Sequence, residues 1–295
     1  MIYSSTPNNF INFLSTQFHK RKNLFNLLPV SLTAADKKKF TASDSVRQKG
    51  FGEFLSKIVL LLLSTLALNY SNAQNVNVSG AITGNGSYAS LSVAFSAING
   101  GAQNGAVINI TIAGNTTETG IGAILNEGTW NSLSIQPSGI RTVSGAINPG
   151  RPLLDLNGAD RVTISGSNAL TFLNSTVSSN ANTSTIRFIS DACNTTITGC
   201  RIFGSSSSTL GTSTGTILFS TGITTGNDNN TVSFCDIGPG SGLPGIAVNF
   251  LGSPSFYNGF NTIMNCNIYD YFSAASSSAG IIVQTGSTDI TIKDN

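Results

Sequence analysis

Two apolar registers recur along the second half of the chain at nearly one spacing. In the first, Leu154-Asp-Leu156, Ile186-Arg-Phe188, Ile217-Leu-Phe219, Val248-Asn-Phe250 and Ile281-Ile-Val283 align, with third residues 32, 31, 31 and 33 positions apart. In the second, Ile164, Ile197, Val232, Ile263 and Ile292 follow at separations of 33, 35, 31 and 29. Ile135, in SLSIQPSG, belongs to the repeat before. Repeats of about 20–50 residues build solenoids, propellers or arrays, so this spacing constrains the fold more than composition does.

Each period holds several strand-like stretches of three to six residues, broken by Gly, Asn, Ser and Asp. Apolar residues at three-to-four spacing are missing from them, which argues against helical repeats. Propeller blades run to about 40–50 residues with Trp-Asp or kelch signatures, and neither feature is present. An antiparallel sandwich does not return side chains at a fixed offset. A right-handed parallel β-helix does, because each turn stacks on the last about 4.8 Å away. The expected fold is therefore all-β: a right-handed parallel β-helix (solenoid) of about six turns, ~30 residues each. Phe188, Phe219 and Phe250 would form one internal aromatic stack.

The same register explains three cysteines. NTTITGCRIFG, NNTVSFCDIGP and FNTIMNCNIYD place Cys200, Cys235 and Cys266 at one position of successive turns, with Ser167 expected before them and Asn295 after. Cys is small and behaves as a hydrophobe when buried, so a structural ladder is the expectation. Tetrahedral metal binding needs converging ligands, which three thiols in a row without His do not supply. A disulfide between neighbouring rungs stays open, since Cα separations of ~5.5 Å are usual for one; Cys193 makes the total even. Arg201, Asp236 and Asn267 each follow a ladder residue, so they are expected in one outward column with an Arg201–Asp236 ion pair.

The front of the chain differs. Nine of the 15 Lys and Arg residues and the lone His19 precede residue 74; beyond it stand six basic and ten acidic residues. With no basic patch interleaved with aromatics, nucleic-acid binding is not expected. The abundance of β-branched residues argues against disorder. Ile58 to Leu68 is an apolar run of 11, preceded by Arg47, Lys49 and Lys57 and followed by Ser71-Asn-Ala73. A bilayer span needs ~20 apolar residues, whereas this three-part pattern reads as a secretory signal peptide. Residues 1–73 are thus expected to be a leader, 74–105 an N-terminal strand and capping helix, and 106–295 the coils, with no transmembrane helix in the mature chain. In SYASLSVAFSAINGG, Tyr88, Leu91, Phe95 and Ile98 fall on one helical face, with Ser87 as N-cap and Asn99-Gly-Gly101 as stop. This amphipathic helix would cover the first coil, an open edge that otherwise invites pairing.

The order of a short strand, the helix YASLSVAFSAINGG, the strand AVINITIAGNTTET, and then LLDLNGADRVTISG and NTTITGCRI resembles the pectin-lyase-like β-helix superfamily over residues 76–295. Within it the chain looks most like large, secreted, repeat-rich bacterial surface proteins. That resemblance implies a secreted or cell-surface, non-catalytic scaffold of adhesin type, contacting extracellular polysaccharide or cell-surface glycans. Such proteins run on to further coils and a sorting domain, so a chain stopping at Asn295 inside a repeat reads as a fragment.

Enzymes of the same group are lyases or glycosidases acting on acidic polysaccharide, which is the alternative. Their polygalacturonase-like motifs are N-T-D, D-D, G-H-G and R-I-K. Beyond residue 73 there is no His, no Asp-Asp pair and no N-T-D, and Arg201-Ile202-Phe203 matches two letters of the last motif. Pectate-lyase-like members bind Ca²⁺ through Asp clusters and use Arg or Lys as base. The acids near turns are Asp191, Asp228, Asp236 and Asp270. Asp228, in GNDNN, is the metal candidate, and Arg201 with Asp236 the catalytic candidates. No cofactor is expected except Ca²⁺ under the enzyme alternative.

Overall fold

The computed structural model describes Ser56, Lys57, Val59 and residues 74–295 apart from 208, 209, 275 and 276. Apart from Val59, the apolar run of the expected leader lies outside the described residues, as does its cleavage site; among the described residues no helix is long and apolar enough to cross a membrane. The chain divides into two compact units, Met1–Ser71 and Asn72–Asn295, and the second carries the fold.

That unit is nearly all β and winds into a parallel β-solenoid of about six turns. A full rung contributes one strand to a seven-stranded sheet and two short strands to a thirteen-stranded sheet. One rung illustrates the rule: Gly215–Phe219 lies in the first sheet, and Thr231–Ser233 and Asp236–Pro239 in the second; in the rung before it the two short strands merge into one, Thr196–Gly204. Both sequence registers are the registers of the sheets. Leu154, Ile186, Ile217, Val248 and Ile281 are successive Cα partners. So are Ile135, Ile164, Ile197, Val232, Ile263 and Ile292.

Alternation turns one side of each strand inward, and these apolar side chains form a single core cluster up to the last rung, where Ile281 is only partly buried and Ile292 is exposed. Phe188, Phe219 and Phe250 stack through it with ring centroids 4.4 and 4.3 Å apart. Each such contact adds about 0.5–1.5 kcal/mol beyond the area buried.

Two stacks of left-handed residues make the corners. Gly199, Phe234, Asn265 and Asp294 (φ 61°, 53°, 52° and 54°) bend the chain inside the thirteen-stranded sheet, and each directly precedes a ladder position. Arg161, Asn194, Asn229, Phe260 and Asp289 form the second stack, at φ 52–57°. Bulky residues seldom adopt this conformation, and here the rung above and below imposes it. Buried amides satisfy the turns. Asn258 Oδ1 accepts from Asn227 N, and Asn261 Oδ1 accepts from Asn230 N, at 3.0 and 2.9 Å.

The N-terminal end is closed differently. Val76–Ser79 pairs antiparallel with Gly86–Tyr88 and with the first core strand, Val107–Ile112. The helix α1 (Leu91–Asn99) buries Leu91, Ala94, Phe95 and Ile98 and packs on the edge strand Ala123–Asn126. The helix begins later than the sequence pattern predicts. Ser90, not Ser87, is the N-cap, and Tyr88 ends the hairpin strand. The apolar period extends through Tyr88, but pairing of residues 86–88 with Val76–Val78 takes that residue into the sheet. The first two helical amides donate to the buried carboxylate of Glu118, 2.9 Å each, from a different coil.

Candidate functional site

The cysteine ladder is built as its spacing requires, with one correction. Cys200, Cys235 and Cys266 are buried free thiols, each one residue past a corner. Asn295 closes the column: its side-chain carbonyl accepts from Cys266 N at 2.9 Å. The partner of Cys200 on the other side is Leu170, not Ser167. Gly166–Ala169 form a four-residue bulge opposite the single Gly199, so counting three positions from Ile164 lands inside the insertion. Cys235 is pushed up to about 12 by its hydrogen bond with the Cys200 thiol and by burial. Cys266 is raised by the thiol of Cys235 and by burial. Cys235 and Cys266 are thus held protonated, which suits packing rather than nucleophilic work.

Arg201 and Asp236 are Cα partners, as are Asp236 and Asn267. Arg201 Nε lies 3.8 Å from Asp236 Oδ2, with the side chains 51% and 45% exposed. Asn267 Nδ2 donates to Asp236 Oδ1 at 3.5 Å. All three stand on an open strand face. Asp228 is elsewhere, at a corner, where its carboxylate accepts from Gly259 N at 2.6 Å. Burial raises its pKa above the usual carboxylate value, against that hydrogen bond. Among the described residues no three His, Cys, Asp or Glu side chains are grouped to hold a metal ion. Asp191 is engaged by backbone alone: Ile223, Thr224, Thr225 and Gly226 N–H all donate to it. Burial pushes its pKa up, and these four donors pull it net below the usual value.

The concave feature lies on the outer side of the seven-stranded sheet, beneath α1. It is a groove of about 660 Å³, with Ser92, Ser96 and Asn99 of α1 on one wall and Ile121 and Arg151 among the lining on the other side. Asp155 and Arg187, Cα partners on adjacent rungs, also line it. Arg187 donates to Asp155 through Nε at 2.9 Å and Nη2 at 2.7 Å, and the two residues are 4% and 7% exposed. Such a fork-to-fork pair is the strongest geometry open to these groups. A ladder of asparagines lines the same trough: Asn126 N donates to Asn99 Oδ1, and Asn157 Nδ2 to Asn126 Oδ1. Asn126 and Asn157 also line a second hollow of about 400 Å³ with Glu127 and Asp191.

None of the groove residues was among the sequence candidates. The signal was present: Asp155 and Arg187 occupy the middle, outward position of the aligned triplets Leu-Asp-Leu and Ile-Arg-Phe. Opposite charges one rung apart predict a pair; burial beneath a distant helix is not visible from spacing. What the arrangement offers is recognition chemistry: guanidinium and amide donors, hydroxyls and an isoleucine along a trough. Its carboxylate is committed to an arginine. No family model matches the chain, and no curated protein and no solved structure matches it either.

Proposed function

We propose that this chain is a secreted or cell-surface, non-catalytic scaffold of the pectin-lyase-like β-helix type, which contacts carbohydrate along its side. The observation that carries the reading is the groove under α1. Its carboxylate, Asp155, is locked bidentate by Arg187, and a base or nucleophile needs a free carboxylate within reach of the substrate. Arg151 is exposed and makes no side-chain hydrogen bond or ion pair among the described residues. Together with Asn99, Asn126 and Asn157 it offers donors and acceptors suited to sugar hydroxyls. Regular rungs, pinned by phenylalanine, cysteine and asparagine ladders, supply a stiff support.

The alternative, a lyase or hydrolase of acidic polysaccharide, would place the chemistry on Arg201 and Asp236. That pair is a loose contact on an open strand face, with no enclosing wall to exclude water.

Native affinity electrophoresis through gels containing single polysaccharides, neutral and acidic, tests the reading. The chain should be retarded by at least one of them, and Arg151→Ala should weaken retardation for any ligand held in the groove. Unchanged migration in every gel would overturn it.

A further inference from the structure

Beside the Arg201 column runs a second outward column that the proposed carbohydrate contact leaves unused. We propose that these two columns form a stacking plate for a neutral, β-linked glycan lying along the solenoid axis, with Tyr269 as its platform. The inference rests on the reading of the chain as a carbohydrate-contacting scaffold, and it names a second surface and a ligand class for it.

Residues 201 and 203 of one strand face outward, while Ile202 between them is fully buried. On the next rung Asp236 and Gly238 take the same two positions. Asn267 and Tyr269 take them on the rung after: Asn267 pairs with Asp236, and Tyr269 N donates to Ile237 O at 3.1 Å. The plate is therefore a grid, with Arg201, Asp236 and Asn267 in one column and Phe203, Gly238 and Tyr269 in the other.

Gly238 is what lets the ring lie down. A Cβ built on it would stand 2.8 Å from two ring carbons of Tyr269 and 3.2 Å from a third. Three such near-equal distances put the face of the ring, not its edge, over the glycine, so any side chain there would lift it. One face of Tyr269 is thus spent on Gly238, the side chain is half-buried, and the opposite face is the proposed platform. Its hydroxyl makes no hydrogen bond among the described residues. Burial, then the nearby Asp236 and Asp270 carboxylates, raise its pKa, so it stays a neutral phenol that can donate.

The column beside it is loosely engaged, with contacts of 3.8 and 3.5 Å. Most of its hydrogen-bonding capacity remains for a ligand. Its charges argue for a neutral one. Arg201 and Asp236 offset each other, and exposed Asp270 adds a further carboxylate that would repel an acidic sugar. Phe203 and Tyr269 are anchored two rungs apart, about 10 Å, and the Tyr269 ring lies over the rung between them, so the two side chains make one apolar strip along the axis for an extended, flat-faced β-linked chain. A flat sugar face on an aromatic ring, with hydroxyls bonded to a neighbouring row of planar polar groups, uses both columns at once.

The test is calorimetric titration of the full chain with a soluble β-1,4-linked glucose hexasaccharide. Tyr269→Ala should weaken binding at least about tenfold, a loss of ~1.4 kcal/mol. Tyr269→Trp should hold it within about threefold, because it keeps a ring on the plate. Asn267→Ala, an exposed truncation with no bearing on the core, should weaken it as well. Binding by Tyr269→Ala and Asn267→Ala equal to that of the unaltered chain would overturn the plate. So would an unaltered chain that binds other polysaccharides but not this hexasaccharide, which leaves the scaffold reading standing. Failure to bind any polysaccharide would remove both.

Discussion

Replacing Arg187 by leucine tests the groove's floor. Asp155 would be left 4% exposed with neither of its two guanidinium contacts at 2.9 and 2.7 Å. Breaking a buried pair from one side costs about 3–5 kcal/mol, because a charge remains in a site that was desolvated for two. Replacing both partners is a different experiment. Leu218, the next residue in this column, is fully buried, so the column already accommodates a leucine one rung on. Asp155→Leu/Arg187→Leu should therefore be near neutral, or stabilising by ~1–4 kcal/mol. Urea unfolding followed by far-ultraviolet circular dichroism reads both. With a slope of about 3 kcal/mol/M, the single variant should lower the midpoint by ~1 M or more. The reasoning fails if the single variant loses under about 1 kcal/mol, as a screened surface pair would. It fails equally if the double variant loses as much as the single.

Three further outcomes follow from the interior. Phe219→Ala removes the middle ring of the stack and should cost about 3–5 kcal/mol, measured by the same unfolding curve. Asp191→Asn should flatten the acid arm of stability: a carboxylate depressed in the folded state stabilises at pH above its ordinary value of about 3.9 and loses that contribution as pH falls through its lower folded value. Thermal midpoints taken from about pH 6 down to about pH 3 should therefore drop less for the variant than for the unaltered chain, and an equal drop would contradict the four-amide cradle. Cys235, held up to about 12, and Cys193, raised by burial to about 11, should resist a thiol reagent at about pH 8 in the folded chain, where a free thiol of pKa ~8.5 reacts readily. Unfolded in denaturant, all four cysteines should label.

The fold was more legible than the site, for a physical reason. A parallel solenoid repeats its side chains at a fixed offset, so Leu156, Phe188, Phe219 and Phe250 report their own pairing through spacing alone. The Arg201–Asp236 contact followed from the same arithmetic. The arithmetic failed at the Gly166–Ala169 bulge, where an insertion shifts the count by three and puts Leu170, not Ser167, beside Cys200. It failed at Tyr88 as well, where a helical period and a hairpin compete for one residue. The groove was invisible for another reason. It depends on α1 lying over rungs 20 to 95 positions away in sequence, and no period links Asn99 to Arg187. Asn227 and Asn258, like Asn230 and Asn261, are 31 apart and did carry a readable signal. The stretch GNDNN draws the eye to its acid, Asp228, although its asparagines make the ladder.

The central claim is that the side of this solenoid holds a glycan without cutting it. Incubating the full chain with each polysaccharide that retards it, and following both retention and the appearance of new reducing or unsaturated ends, tests that claim most directly. The account predicts retention with polymer length unchanged. New chain ends that disappear in Arg201→Ala would contradict it and make Arg201 a catalytic residue.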